Sequence, residues 1–152
     1  MTATLLTVLL WFCALGCALL GGLYFAFSTF ILTALERTGA ANGAAAMNSI
    51  NVVILRSLFM PFFFGTTLGS LVLAVAGVIE GAPLMIAGGT LYVLGMFVVT
   101  MLGNVPLNNA LAANPTEDTW RRFLAAWTRW NHVRTVSCLA AAALFIAELV
   151  RA

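Results

Sequence analysis

Three long stretches of the chain, residues 1–35, 57–79 and 81–116, contain no Asp, Glu, Lys, Arg or His. A helix needs about 20 mostly apolar residues to cross the hydrocarbon core of a bilayer, and each stretch is long enough for one crossing. A composition of 62% hydrophobic and 8% charged residues, with a mean hydropathy of +1.05, is not that of a soluble globular domain. The chain therefore reads as a single membrane domain covering residues 1–152.

A fourth span is implied near the C-terminus, yet only 13 residues separate Arg134 from Glu148. That run is too short to cross a bilayer, so the span must begin near Trp130 and take in Asn131, His132, Arg134 and Thr135. The expected spans are residues 4–35, 52–79, 83–103 and 130–150, which make an all-α, four-helix transmembrane bundle. His132 is the only histidine in the chain, and ionisable groups at headgroup depth are costly enough to mark function by default.

The first segment lacks a basic leader and runs too long for a signal-peptide core, so it is expected to be retained. Cys13, Cys17 and Cys138 are odd in number and fall inside apolar helices, which argues for packing and against a disulfide framework. Seven basic residues, all arginine, leave a net charge of only +2, too small a bias to imply a nucleic-acid partner. Their positions set orientation instead. Arg37 and Arg56 flank the first loop, and Arg121, Arg122 and Arg129 occupy the third, whereas the second loop has Glu80 and the tail Arg151. By the positive-inside rule, loops 36–51 and 104–130 face the cytoplasm and both termini lie outside.

Span one ends in Arg37-Thr38-Gly39, a basic last turn followed by a glycine stop. The small residues from Gly39 to Ala46 suggest a flexible linker. Pro61 is expected to kink the second span, and Pro106 to kink or end the third. Asn114-Pro115-Thr116-Glu117 has the order of an N-cap, a proline at the first helical position and a capping-box glutamate. A helix is thus expected from Pro115 to about Val150. Its first part places Trp120, Phe123, Leu124 and Trp127 on one face and arginines on others, so the third loop carries an amphipathic extension of the fourth helix. Cys13, Cys17 and Gly21 recur every four residues as a small-residue ridge, and Gly65 and Gly69 repeat it in span two.

Under this topology three polar clusters share one end of the bundle: Asn48, Asn51 and Arg56; Asn104, Asn108 and Asn109; and Asn131, His132, Arg134 and Thr135. At about 100° per residue, with Asn131 at zero, Thr135 falls at about 40°, Arg134 at about 300° and His132 at about 100°. Buried hydrogen bonds that fix helix register would explain such clusters without any catalysis. A site in which a neutral His132 takes a proton while Arg134 and the amides stabilise negative charge explains them too. A protein-ligated metal centre needs three or four ligands, which one histidine and scattered thiols do not supply.

Four segments, GLYFAFSTFILTAL (22–35), AAMNSIN (45–51), GNVPLNNALA (103–112) and WTRWNHVRT (127–135), together resemble the anthrone oxygenase-like membrane protein family, in this order and over nearly the whole chain. The resemblance implies a four-helix membrane bundle and, as in characterised fungal relatives, oxidation of an anthrone to an anthraquinone by molecular oxygen. The family's polar motif maps onto Asn104, Pro106, Asn108, Trp130, Asn131, His132, Arg134 and Thr135, with Asn51 contributing. On this basis His132, Arg134, Asn104, Asn108 and Asn131 are the catalytic candidates. Asn51, Tyr24, Phe27, Trp130 and Thr135 are the candidate substrate contacts.

The expected partners are the lipid bilayer of a bacterial inner membrane, a hydrophobic small molecule, molecular oxygen and a second copy of the chain in a homo-oligomer. The cofactor stays open between none and a haem with His132 as axial ligand. Two alternatives stand beside the oxygenase: a haem-binding redox protein, and a non-catalytic packing subunit or carrier.

Overall fold

The computed structural model describes residues 2–151, and helix is the only regular structure among them. Four helices are long and apolar enough to cross a membrane: α1 (Ala3–Arg37), α3 (Phe59–Glu80), α4 (Pro83–Ala113) and α5 (Glu117–Arg151). A further helix, α2 (Ala40–Ile54), lies between the first two. The chain is thus an integral membrane bundle of four spans. Each span packs against two others, in the ring α1, α3, α4, α5 and back to α1, while α2 packs against the ends of α1, α4 and α5.

Span ends follow from local chemistry. Gly81 takes a left-handed conformation (φ 68°) that closes α3, its N–H bonding the Gly77 carbonyl, and Pro83 then stands at the first turn of α4. Gly39 has φ 90° between α1 and α2, so the glycine stop expected there is present. The stretch beyond it is helix, not a flexible linker, because its alanines and Met47 bury a face: Gly43, Ala44 and Met47 are buried. The second span accordingly begins at Phe59, later than expected.

Pro61 falls at a helix start and not inside a span, and Pro106 does not end its helix. Pro61 sits in the first turn of α3, where its missing N–H has no intrahelical acceptor to serve, so it imposes no break. Pro106 lies within α4, which continues through it to Ala113. The ladder widens first: Val93–Val98 and Thr100–Asn104 are π-type turns, and the Val105 N–H reaches back five residues to the Thr100 carbonyl. A wide turn just before the proline shifts the hydrogen-bond register past the missing donor. A third π-type turn, Phe27–Ile31, interrupts α1.

The long helix α5 runs unbroken, as expected, but Thr116 caps it in place of Asn114, its Oγ1 accepting from the Thr119 N–H at 3.3 Å. Trp120, Phe123 and Trp127 are buried along one face while Arg121, Arg122 and Arg129 are exposed, so most of 104–130 is helical. Of the two apolar clusters, one fills the middle of the bundle around Cys17, Leu20, Tyr92 and Phe145. The other joins α2 to the ends of α1, α4 and α5 through Phe27, Met47, Leu111, Trp120 and Trp127. The outer faces carry large exposed hydrophobics such as Leu15, Val75 and Val136, the pattern that lipid contact requires.

Small-residue ridges let the backbones approach inside the bundle. A Cβ on Gly69 would stand 2.6 Å from Cys13 Sγ, and one on Gly21 would stand 3.1 Å from Cys138 Cβ. A Cβ on Gly22, by contrast, meets nothing within 4 Å. Gly69→Val is therefore expected to force α1 and α3 apart and cost about 1–3 kcal/mol, whereas Gly22→Val leaves the thermal midpoint in detergent unchanged. Equal midpoints for the two variants would contradict this packing.

Candidate functional site

Beside α2, at the ends of the spans, the bundle holds a half-open cavity of about 230 Å³. For scale, an apolar cavity of about 150 Å³ holds a benzene. Tyr24 and Phe27 of α1, Met47 and Ile50 of α2, and Phe59 and Phe63 of α3 make its wall largely aromatic and apolar. Polar groups enter from three helices: Asn51 of α2; Thr100, Asn108 and Asn109 of α4; and Arg134 of α5. The span α3 is 22 residues long, or about 33 Å at 1.5 Å per residue, close to one hydrocarbon thickness. Phe59 and Phe63 belong to its first turns, so the cavity lies near one membrane boundary, at the arginine-rich end.

Arg134 dominates the electrostatics. It is 5% exposed, and its guanidinium carbon lies 4.2 Å from the Tyr24 ring centroid and 4.9 Å from that of Trp127. Its Nη2 donates to Asn131 Oδ1 at 2.7 Å and its Nη1 to Thr100 Oγ1 at 3.4 Å. Its Nε, also buried, has no partner. No carboxylate answers this cation: among the described residues the sole ion pair is Arg121–Glu117, on the surface. Two aromatic faces contribute about 2 kcal/mol or more each where desolvated. An unpaired buried charge costs several kcal/mol.

The support for Arg134 is built on the π-type turn of α1. Asn131, fully buried, donates through Nδ2 to the Tyr24 carbonyl at 2.7 Å and to Ser28 Oγ at 2.7 Å. Ser28 in turn shares a 3.1 Å hydrogen bond with Thr135 Oγ1, which also donates to the Asn131 carbonyl at 2.9 Å. Asn131 thus ties α5 to α1 and holds the guanidinium with its remaining oxygen. On the other side, Asn108 Oδ1 accepts from Trp127 Nε1 at 2.9 Å and Asn104 Nδ2 donates to the Trp127 carbonyl at 3.3 Å, fixing the indole that stacks on Arg134. Asn51 lines the cavity with a buried Nδ2 that has no partner.

Tyr24, Phe27, Asn51, Asn108 and Arg134 therefore line the cavity. Asn104, Asn131 and Thr135 stand behind it as supports. Trp130, expected as a pocket wall, is 44% exposed and covers Gly103, where an added Cβ would meet its ring at 2.8 Å. His132 is exposed and does not line the cavity. Helical phase explains this: His132 lies about 160° around α5 from Arg134, so turning the arginine inward turns the histidine out. A haem ligated by His132 would sit outside the bundle, away from the cavity. No group of three His, Cys, Asp or Glu able to hold a metal exists among the described residues. Sequence reasoning missed Thr100, Trp127 and Ser28 as members of the site, and it placed Asn109 in a polar cluster without making it a candidate contact. Trp127 reads from its spacing as one more member of an apolar stripe, and Ser28 has no signal beyond the resemblance in its segment.

A membrane bundle with an aromatic-lined cavity and a buried cation on its wall defines the class: a four-span integral membrane protein. The profile of the anthrone oxygenase family matches residues 51–144, more than half of the chain. The chain belongs to that family. Comparisons with curated proteins and with solved structures give no match.

Asn131→Leu removes the oxygen that serves Arg134 and the donor that serves Tyr24 and Ser28. It is expected to lower stability by about 1–3 kcal/mol, read as a thermal midpoint in detergent. His132→Ala, at an exposed position, is expected to leave that midpoint in place.

Proposed function

We propose that the chain is a membrane-embedded oxygenase acting with molecular oxygen on a hydrophobic, acidic aromatic of the anthrone or phenol class. Family membership sets the direction. The observation that carries the proposal is the buried Arg134 guanidinium, without a counter-ion, on the wall of an aromatic cavity. A fixed cation at low dielectric is worth most where negative charge develops during a reaction.

The chemistry balances without a reductant. An anthrone loses a benzylic proton to give an enolate, which reacts with O2 at the ring carbon to form a peroxide. The peroxide takes up a proton, and loss of the remaining benzylic hydrogen with cleavage of the O–O bond expels water and gives the quinone, one oxygen atom ending in the carbonyl and the other in water. Arg134 stabilises the enolate and then the peroxide, while Asn108, Asn51 and the aromatic wall orient the rings. Asn131, Ser28 and Thr135 keep the guanidinium in place. Loops 36–51 and 104–130 would face the cytoplasm of a bacterial cell, so the cavity would open near the inner leaflet of the inner membrane.

Oxygen uptake with an anthrone as substrate tests the proposal. Arg134→Gln is expected to slow uptake by about 10²–10³-fold, the usual cost of losing one oxyanion donor. His132→Ala, whose side chain stands outside the cavity, is expected to retain the wild-type rate. A slow His132→Ala with a fast Arg134→Gln would place the chemistry on the outer face of α5 and refute this site.

A further inference from the structure

We infer that the cavity binds acidic hydroxyaromatics as anions that form on binding. Arg134 is the counter-charge, and the proton is lost to water, not to a base in the protein. This rests on the substrate class proposed above but not on any reaction with oxygen. Two observations support it. The first is an inventory of ionisable groups around the guanidinium. From α1 it is faced by Tyr24, and from α5 Cys138 is the other titratable neighbour. The other helices bring only neutral groups to the cavity: Asn51 of α2, aromatic and aliphatic side chains of α3, and Thr100, Asn108 and Asn109 of α4. No carboxylate and no histidine lines it among the described residues. An arriving acid therefore meets a fixed positive charge and no group able to take its proton at neutral pH.

The second observation is the pair of unmet donors. Arg134 Nε and Asn51 Nδ2 are both buried, both belong to residues lining the cavity, and neither has an acceptor. Buried donors left unpaired cost about 1–3 kcal/mol each, and a cation costs more. They come from different helices, α5 and α2. Both atoms are occluded as they stand, so a flat aromatic with two oxygens would meet them after small rotations of the two side chains, the charged oxygen at the Arg134 guanidinium and a neutral carbonyl or hydroxyl at the Asn51 amide. An opposite charge at contact distance lowers the acid midpoint of a bound group by about one to three pH units. With a bound midpoint below the free one, apparent affinity climbs between the two midpoints and levels off above the free value.

The test uses the full chain in detergent and a matched pair of probes, 4-nitrophenol and 4-nitroanisole. These share shape and ring, but the second cannot ionise. Absorbance of bound nitrophenol is expected to show its midpoint at least one pH unit below the free midpoint, with affinity for nitrophenol rising at least tenfold across that range and affinity for nitroanisole flat. Arg134→Gln is expected to abolish the shift. So is Thr100→Asp, which keeps the arginine but places a carboxylate beside its Nη1. Asn51→Leu is expected to weaken binding at every pH while keeping the shift.

An unshifted midpoint in the wild type, nitroanisole bound as tightly as the phenolate, or a shift that survives both Arg134→Gln and Thr100→Asp would overturn the inference. The wild-type probe pair decides even if every variant fails to fold. Anaerobic samples separate it from the oxygenase proposal. A shifted midpoint with no oxygen uptake leaves the anion site standing and removes the enzyme. Uptake with an unshifted midpoint does the reverse.

Discussion

The arrangement at the arginine-rich end depends on one buried charge. A guanidinium held inside a membrane bundle without a carboxylate must recover its lost hydration from dipoles and ring faces, and each neighbour of Arg134 supplies part of that. Tyr24 and Trp127 cover its two faces, and Asn131 and Thr100 accept from its terminal nitrogens. The second layer follows from the first. Trp127 is held for stacking by Asn104 and Asn108 and by the rings of Phe27 and Phe123, and Asn131 is oriented by its amide nitrogen, which is anchored on α1.

Two of the three wide turns carry residues of the network around this charge. Wide turns occur in α1 at Phe27–Ile31 and in α4 at Val93–Val98 and Thr100–Asn104, on the two helices that flank α5. Ser28 and Thr100, which serve the Arg134 network, both lie in such turns. A regular helix offers its polar main chain only to itself. A π-type turn rotates the following side chains by the extra residue, and such turns are frequent at functional sites. In α4 the wide turn has a second use, since it lets the helix pass Pro106 and carry Asn108 to the cavity.

The architecture was legible because the bilayer demands long uncharged runs, and 1–35, 57–79 and 81–116 have no other soluble explanation. The amphipathic start of α5 was legible for a similar reason, as Trp120, Phe123 and Trp127 repeat at helical spacing. Composition misled at 39–46, where small residues suggest a linker but pack as a helix against α5. The candidate site was half legible. Polar residues in apolar surroundings pointed to Asn51, Asn108, Asn131 and Arg134. Rarity drew attention to His132, yet rarity carries no direction, and the helical phase between His132 and Arg134 puts them on nearly opposite sides of α5. Thr100 and Ser28 could not be found from the chain alone, because their positions depend on wide turns that no local sequence pattern announces.

Depth in the membrane reconciles an apolar cavity with a charged anchor. The cavity wall is aromatic on α1 and α3 and aliphatic on α2, a lining suited to an uncharged polycyclic molecule. Arg134 lies near the end of the bundle, where the hydrocarbon gives way to headgroups and water. Ser28, bonded to Asn131 behind the guanidinium, also lines a polar groove with Glu36, Arg121 and Arg129 on the far side of the α1–α5 seam. The network that holds the cation therefore touches the cavity on one side and the polar surface on the other. In the reaction proposed above, a substrate would arrive neutral from the bilayer and lose its proton toward water, while its anion would be held by a buried charge that salt screens only weakly. Placed at the bilayer centre, the same arginine would cost more and the released proton would have no short route out. Placed in the headgroups, it would be hydrated and would attract little.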